Sequence, residues 1–337
     1  MVKIAIDAMG GDTGLEVTLP GIVSFSQSYK SDDTEFVIYG NKSLIDKFFA
    51  QNPGNFNFSV VDTGCNVISS DENPIHAIRN SHGTSMHEAI SAVAEGLADA
   101  VVSSGNTGAY MVLSKLLVGT IDGVLRPALV NVIPTKKSKT VMLDLGANTD
   151  CNAEKLFQFA KMGNAVANTL LNLNYPTIGL LNIGTEKMKG TEILSRTYDL
   201  ISEDSTLNFK GFVEGDNIMD GSVDVVITDG FTGNIALKSI EGSVKLVASI
   251  LKKEIKSSYL SQISYFLGFK KVFKNMCKKL NPSLYNGAPF VGLNGVVVKS
   301  HGGSDYVGFA HAIHTATELV RKGFIENIKN SLGKIDE

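Results

Sequence analysis

The fold of this chain is most easily predicted from Val223-Asp-Val-Val-Ile-Thr-Asp-Gly-Phe-Thr-Gly-Asn-Ile-Ala-Leu-Lys238. The β-branched run Val225–Ile227 predicts a buried strand, Asp229-Gly230 ends it, and a helical pattern follows Gly233. The first amides of a helix lack intrahelical partners and lie at the positive end of the helix dipole, so this turn is a natural anion site. The segment therefore indicates a phosphate ligand.

The same residues also have a purely structural explanation. Every strand-to-helix connection needs a turn, and Asp229, Thr232 and Asn234 are residue types that form turns and cap helices. Asp229 raises a further difficulty, because a carboxylate repels a bound phosphate unless it is protonated, hydrogen-bonded to it or faces a cation. The segment alone leaves both explanations open.

The composition is that of an ordinary globular protein. Its 337 residues, 43% hydrophobic and 19% charged, are enough for one large α/β domain, which we expect to span residues 1–337. Met1-Val-Lys-Ile4 predicts a strand rather than a signal peptide, and no apolar run reaches the length of a membrane span. Three scattered cysteines and the absence of P-loop, dinucleotide and metal-ligand spacings predict a cytoplasmic protein without a resident metal or cofactor.

Strand-like and helix-like segments alternate along the chain. Strands are predicted at Lys3–Asp7, Phe36–Tyr39, Phe58–Val61, Ala100–Ser103, Val141–Asp144, Ile178–Ile183, Val223–Thr228 and Val296–Lys299. Helical periodicity occupies intervening segments, including Ser85–Leu97, Ala153–Leu173 and Thr191–Glu203. This alternation predicts an α/β fold, a largely parallel sheet in an αβα sandwich.

Four turns rich in Gly and Asn follow predicted strands, at Ser103–Gly108, Leu143–Asn148, Leu181–Gly184 and Asp229–Asn234. If those strands are parallel, the turns lie at one edge of the sheet, where open α/β sheets bind ligands. Together they would form a polar cleft rich in amide donors. Lys189 and His301 are candidate positive groups nearby, although a single Lys or His is more often an ordinary surface residue.

A basic segment interrupts an otherwise acidic chain. Residues 244–280 contain nine lysines and one acid, Glu254, so the segment carries +8 and the rest of a chain of net charge −3 carries −11. We predict a protruding helical hairpin at 241–281 whose tip exposes aromatic and basic residues, namely Tyr265, Phe266, Leu267, Phe269, Lys270 and Lys271. Such a tip suits an anionic membrane surface, where each lysine contributes about 1 kcal/mol.

Other functions for this segment stay open. Its apolar stripes suit the pairing of two subunits, which is compatible with a membrane-binding tip. Its lysines also suit an acidic protein partner. Nucleic-acid binding is the weakest alternative, because no recognition motif accompanies the lysines. We expect no nucleic-acid partner.

Six segments, in order along nearly the whole chain, resemble the bacterial phosphate acyltransferases of phospholipid synthesis: Ile4–Asp12, Ser104–Ala109, Leu143–Asn148, Gly179–Gly184, Thr228–Asn234 and Ser300–Gly302. The resemblance implies transfer of a fatty acyl group from acyl carrier protein to inorganic phosphate, which yields acyl phosphate. It also implies a fold like that of phosphotransacetylases and isocitrate or isopropylmalate dehydrogenases, and a cytoplasmic homodimer attached peripherally to the membrane.

The resemblance also suggests site residues. In phosphotransacetylases an aspartate loop before Gly-Asn and a late Ser-Arg pair line the phosphate site; Thr228–Asn234 is similar to the first, and Ser300-His301 falls where the second would be. The chain departs from the family pattern at Arg79–Met86, where a basic stretch is reduced to Arg79, and at Asn286–Pro289 and Ser300–Gly303. Arg79 is the remnant of that basic stretch in this chain.

The expected chemistry needs phosphate positioning and oxyanion stabilisation more than covalent catalysis. We predict Asp229, His301 and Lys189 as catalytic residues, with Asp229 either accepting a phosphate proton or shaping its loop. The candidate substrate-binding residues are Asn106, Thr107, Gly108, Asn148, Asn182, Gly184, Gly230, Thr232, Gly233 and Asn234. Two alternatives stay open: a phosphotransacetylase acting on a coenzyme A thioester, and a non-catalytic lipid- or metabolite-binding scaffold.

Overall fold

The computed structural model describes residues 1–29, 33–54, 56–69, 71–72, 74–257 and 282–332. Its strands are β1 Val2–Asp7, β2 Thr34–Gly40, β3 Asn57–Asp62, β4 Ala100–Ser103, β5 Ala128–Pro134, β6 Lys139–Leu143, β7 Thr177–Leu181, β8 Asn208–Val213, β9 Val225–Ile227, β10 Ala288–Val291 and β11 Val296–Lys299. Its α-helices are α1 Leu15–Ser28, α2 Lys42–Gln51, α3 Pro74–Arg79, α4 Ser85–Ala94, α5 Thr107–Leu117, α6 Ala153–Leu171, α7 Glu192–Glu203, α8 Gly230–Ser257, α9 Tyr306–Arg321 and α10 Phe324–Leu332.

All of these strands belong to one sheet, in the order β3-β2-β1-β4-β11-β10-β5-β6-β9-β7-β8. The strands β3, β2, β1, β4 and β11 are mutually parallel, as are β6, β9, β7 and β8. Between these two blocks, β10 and β5 pair antiparallel with their neighbours. The two parallel blocks therefore run in opposite directions.

This reversal corrects the expectation that four Gly/Asn turns share one sheet edge. Three of the turns follow β6, β7 and β9, whereas the turn at Ser103–Gly108 follows β4 in the opposite block. The cause is that three successive pairings, β11 with β10, β10 with β5 and β5 with β6, are antiparallel. The connection from β5 to β6 is short and is closed by a hydrogen bond from Thr135 N to Ser138 O of 3.0 Å. A connection this short reverses the chain, since parallel strands need a long crossover.

The layered α/β architecture predicted from the sequence is confirmed. Successive residues of a strand point to opposite faces, and Ile4 and Ile6 belong to one apolar cluster while Ala5 belongs to another. Helices α1, α6 and α9 contribute to the first cluster, and α4, α5 and α8 to the second. Every predicted strand is present, but β5, β8 and β10 were not predicted.

The first stem of the predicted hairpin lies within α8, which continues to Ser257. Three large apolar side chains on this stem are about half exposed, Leu246 (59%), Val247 (50%) and Ile250 (50%). The predicted tip, residues 265–271, lies outside the described residues. Among the residues that are described, no helix has both the length and the apolar character needed to cross a membrane.

Candidate active site

The turn after β6 is built around a buried carboxylate. Asp144 is fully buried and accepts hydrogen bonds from the amides of Leu129 (2.9 Å), Ala147 (3.1 Å) and Asn148 (2.6 Å). The Asn148 side chain also donates to Asp144 (2.9 Å) and to Pro127 O (2.8 Å). Burial raises the pKa of Asp144, against the opposing effect of these hydrogen bonds. The amide donors that the sequence suggested for phosphate are thus bound to a carboxylate of the protein itself.

The N-terminus of α8 is satisfied in the same way. The Asp229 carboxylate accepts from Thr232 N and from Thr232 Oγ1, both at 2.8 Å, and Gly230 N donates to Asn148 O at 2.7 Å. Asp229 therefore has the contacts of a helix N-cap. Of its two sequence-based roles, these contacts favour shaping the loop over accepting a phosphate proton.

A third carboxylate organises the first block. Asp7, fully buried at the end of β1, accepts from Ser85 Oγ (2.5 Å), Ser103 Oγ (2.6 Å) and Gly10 N (3.2 Å). Burial raises its pKa, while these hydrogen bonds and the nearby Lys299 act in the opposite direction. Asp7 therefore ties the ends of β1 and β4 to the start of α4 and places its carboxyl group near Lys299.

A cavity of about 620 Å³ lies across the central strands, between β5, α8 and the loop after β11. The side of α8 lines it, rather than the helix N-terminus: an apolar row, Leu237, Ile240 and Val244, runs beside a polar row, Lys238, Glu241 and Lys245. Both rows have the i, i+3, i+7 spacing that places residues on one helix face. The cavity thus has an apolar and a charged side.

Lys299, at the end of β11, contributes a buried ammonium to the charged side. Its side chain is 7% exposed, and its Nζ donates to Ser104 O (3.2 Å) and to Ser300 O. Burial lowers the pKa of Lys299 to about 8; Lys238 also lowers it, whereas Asp7 and Asp12 oppose the shift. Lys299 is therefore largely protonated at neutral pH and faces the cavity.

His301 lies beside a second lysine. Its Nε2 is 2.8 Å from Lys238 Nζ, and its Nδ1 accepts from Gly303 N at 3.1 Å. A neutral imidazole has only one acceptor nitrogen, so it cannot accept from both the ammonium and the amide. Burial lowers the pKa of His301, and the neighbouring Lys238 lowers it further, which favours this neutral ring. Lys238 Nζ also donates to Glu241 Oε2 at 3.0 Å, so the cluster holds two ammonium groups, Lys238 and Lys299, beside one carboxylate, and an anion would supply a second acceptor of negative charge.

Three of the predicted site residues line the cavity: Thr107, Asn234 and His301. The side chain of Asn106 instead caps α5 by accepting from Ala109 N (3.0 Å). Lys189 pairs with Glu186 (2.9 Å). Within the described part of the chain, the following predicted residues do not line this cavity: Asn106, Gly108, Asn148, Asn182, Gly184, Lys189, Asp229, Gly230, Thr232 and Gly233.

Three lysines that line the cavity, Lys238, Lys245 and Lys299, were not among the predicted site residues, and Lys245 was assigned only to the basic segment. Lys299 ends the apolar strand Val296-Val-Val-Lys299, and a charge directly after such a run was the available signal. Lys238 follows Asn234 by four residues, so it shares that helix face.

Comparison with known proteins agrees with the resemblance of the sequence motifs. A family model described as "Fatty acid synthesis protein" matches residues 2–327. A phosphate acyltransferase from Agrobacterium fabrum is 43% identical over 98% of this chain and 94% of its own, and one from Parvibaculum lavamentivorans is 44% identical over 99% and 92%.

Solved structures share the fold at low sequence identity. The EutD phosphotransacetylase from Staphylococcus aureus has a TM-score of 0.59 at 13% identity, covering 95% of this chain and 94% of that chain. The 4-hydroxythreonine-4-phosphate dehydrogenase from Klebsiella pneumoniae has a TM-score of 0.52 at 13% identity, covering 95% and 98%. These similarities confirm the phosphotransacetylase-related, dehydrogenase-like fold and nothing beyond it. By its full-length sequence relatives, the chain belongs to the phosphate acyltransferase family.

Proposed function

We propose that this protein transfers a fatty acyl group from acyl carrier protein to inorganic phosphate and so produces acyl phosphate for phospholipid synthesis. The observation that carries the proposal is the donor-rich cluster of Lys238, Lys299 and His301 in a cavity that also has an apolar side. The names of the full-length relatives support the reaction class.

In the proposed reaction a phosphate oxygen attacks the thioester carbonyl carbon. The new C–O bond forms, the carbonyl oxygen becomes an oxyanion, and collapse of this intermediate breaks the C–S bond. The thiolate can leave without a strong acid, because a thiol has a pKa of about 8.5. Lys238 and Lys299 hold the phosphate dianion by charge-assisted hydrogen bonds.

Positive groups fixed at this position also favour the developing oxyanion. The lining carries three lysines, at 238, 245 and 299, against the two carboxylates Glu241 and Asp305. Glu241 pairs with Lys238 at 3.0 Å, and Asp305 caps α9 by accepting from Gly308 N at 2.8 Å. The accessible wall is therefore positive on balance, as a site for phosphate requires.

The direct test is formation of acyl phosphate from long-chain acyl carrier protein and phosphate, detected as the hydroxamate after trapping with hydroxylamine. We expect product from the unmodified protein and a large loss for Lys238→Met. Lys210→Met, at an exposed position on β8, is the matched control and should behave as the unmodified protein. Product formation from acetyl coenzyme A but not from the carrier-bound thioester would instead establish the phosphotransacetylase alternative, and ligand binding without turnover would establish the scaffold.

We further propose that the protein is a cytoplasmic homodimer that binds an anionic membrane surface through the basic segment 244–280. The half-exposed Leu246, Val247 and Ile250 on α8 support a contact between subunits. Flotation with liposomes of phosphatidylglycerol or of phosphatidylcholine alone tests the membrane contact, and light scattering tests the dimer. Unchanged flotation of a Phe266→Asp/Leu267→Asp variant would exclude the predicted tip as the membrane contact. Failure to float with either lipid would exclude the membrane surface as a partner.

A further inference from the structure

The apolar side of the cavity has no role in binding phosphate. Leu237 and Ile240 of α8, together with Met219, are partly buried and pack against the apolar cluster that contains Leu129 and Ile133. From Asn234 to Val244, α8 borders the cavity over eleven residues, a length of about 15 Å. A phosphate ion would occupy a small part of this space, so the apolar side suits a second, hydrophobic group.

The strand register shows where that group would extend. Lys299 pairs with Ala288 on β10, and Phe290, two residues further along, pairs with Leu129 on β5. Extended along β10, this register places Lys299 level with Asn131, the middle residue of β5. The strand continues past it to Pro134, and Met219 is held at that far end because its carbonyl accepts from Lys136 N at 2.9 Å. The cavity is thus cationic beside one part of β5 and apolar towards Met219.

We propose that the apolar side of this cavity binds the hydrocarbon chain of a long-chain acyl donor and that Met219 closes its far end and sets the chain length. The thioester then lies beside Lys238, Lys299 and His301, and the methyl end of the chain contacts Met219. The inference rests on the proposed function. The volume agrees with it, because 620 Å³ holds roughly twenty groups of the size of a methylene or a water molecule, at about 30 Å³ each.

Substitution of Met219 tests the proposal through the chain-length profile of the reaction. We expect Met219→Ala to move the optimum in kcat/KM to longer donors and Met219→Phe to move it to shorter ones. Each methylene gained or lost in the cavity should change kcat/KM by up to about fourfold. Met188→Ala is the control, because Met188 is 99% exposed and its profile should match that of the unmodified protein. Profiles of both Met219 variants that coincide with the unmodified profile would refute the proposal.

A binding measurement separates this proposal from the reaction itself. Displacement of the fluorescent fatty acid cis-parinaric acid by saturated fatty acids needs neither phosphate nor carrier protein. We expect Ile240→Ala, in the cavity wall, to weaken binding several-fold, whereas Ile235→Ala, at a half-exposed position of the same helix, leaves it unchanged.

The two failures are distinguishable. If no donor yields acyl phosphate but Ile240→Ala weakens fatty-acid binding and the Met219 variants change the preferred fatty-acid length, the proposed function fails. The inference that the apolar side binds a hydrocarbon chain then stands. If acyl phosphate forms and fatty acids bind equally to all variants, the hydrocarbon chain binds outside the apolar side of this cavity and the inference is refuted.

Discussion

Replacement of the buried Lys299 should separate phosphate binding from folding more clearly than any other substitution in the cavity. A hydrogen bond to a charged group is worth about 1.5–3 kcal/mol, which corresponds to roughly a 10- to 150-fold change in kcat/KM. We therefore expect Lys299→Met to lower kcat/KM for phosphate by this factor at pH 7. Lys161→Met is a control for loss of a mostly buried lysine, since the Lys161 side chain is 12% exposed and pairs with Asp204 outside the cavity.

The pH dependence gives a sharper readout. The charged form of Lys299 binds the anion, and burial lowers the pKa of this residue to about 8. As the pH rises above 8, kcat/KM for phosphate should fall by up to about tenfold per unit, because this parameter follows the ionisation of the free enzyme. The fall should be absent in Lys299→Met, which has no charge to lose. It should also be absent in Lys299→Arg, whose guanidinium stays protonated.

Stability should change with the opposite sign. Between about pH 8 and the ordinary lysine pKa of 10.5, Lys299 has lost its proton in the folded state but keeps it in the unfolded state. The unfolded state then binds more protons, so the free energy of unfolding rises with pH by up to about 1.4 kcal/mol per unit. The difference between the unmodified protein and Lys299→Met isolates this effect, because Asp7, Asp12, Lys238 and all other groups are common to both.

Either of two results would refute a role for Lys299 in phosphate binding. One is a pH profile of kcat/KM for phosphate that is the same for the unmodified protein and Lys299→Met. The other is a Lys299→Met enzyme with unchanged kcat/KM for phosphate at pH 7 and an unchanged melting temperature. In both cases the ammonium of Lys299 would have no part in binding phosphate.

Three further substitutions distinguish the scaffold of the site from its working groups. Asp229→Ala should lower the free energy of unfolding by about 1 kcal/mol through loss of the α8 cap while acyl-phosphate formation stays within a few-fold of normal; a large loss of turnover in the folded variant would restore a catalytic role. Asp144→Ala should cost about 3 kcal/mol or more in urea unfolding, because three buried amides lose their acceptor, and a smaller cost would show that those amides find other partners. His301→Ala and Asn234→Ala should each lower kcat/KM for phosphate by at least about tenfold, and normal turnover in both would exclude this cavity as the active site.

Local patterns predicted the strands of this fold but not the direction of its two halves. Buried parallel strands are nearly continuous apolar runs, which is why Ala100–Ser103 and Val296–Lys299 were predictable. The strand β10 has only four residues and contains Pro289, and β8 contains Lys210 and Gly211, all of which weaken a strand pattern. Without β10 and β5, the reversal between the blocks had no local signal, because strand direction depends on which distant strand is the neighbour.

The sequence predicted the turns of the candidate site but not the hydrogen-bond partners of their amides. The turns at Asp144 and Asp229 follow strands, as predicted. Their amides were expected to bind phosphate, whereas they donate to the carboxylates of Asp144 and Asp229. In both turns the carboxylate bonds an amide three residues later, at Ala147 and at Thr232. That spacing is characteristic of side-chain capping and was the available evidence that these donors already have partners.

Side chains, rather than turn amides, supply the cationic hydrogen-bond donors of this cavity. The amides of the turns after β6 and β9 are bound to Asp144 and Asp229, so those turns form a fixed scaffold that holds α8 in place. Lys238 then comes from the second block and His301 from the first, yet their nitrogens are 2.8 Å apart. The two oppositely directed blocks meet through β10 and β5, and this meeting brings the two residues together. A change that shifts one block against the other should therefore weaken phosphate binding even when it leaves the packing within each block intact.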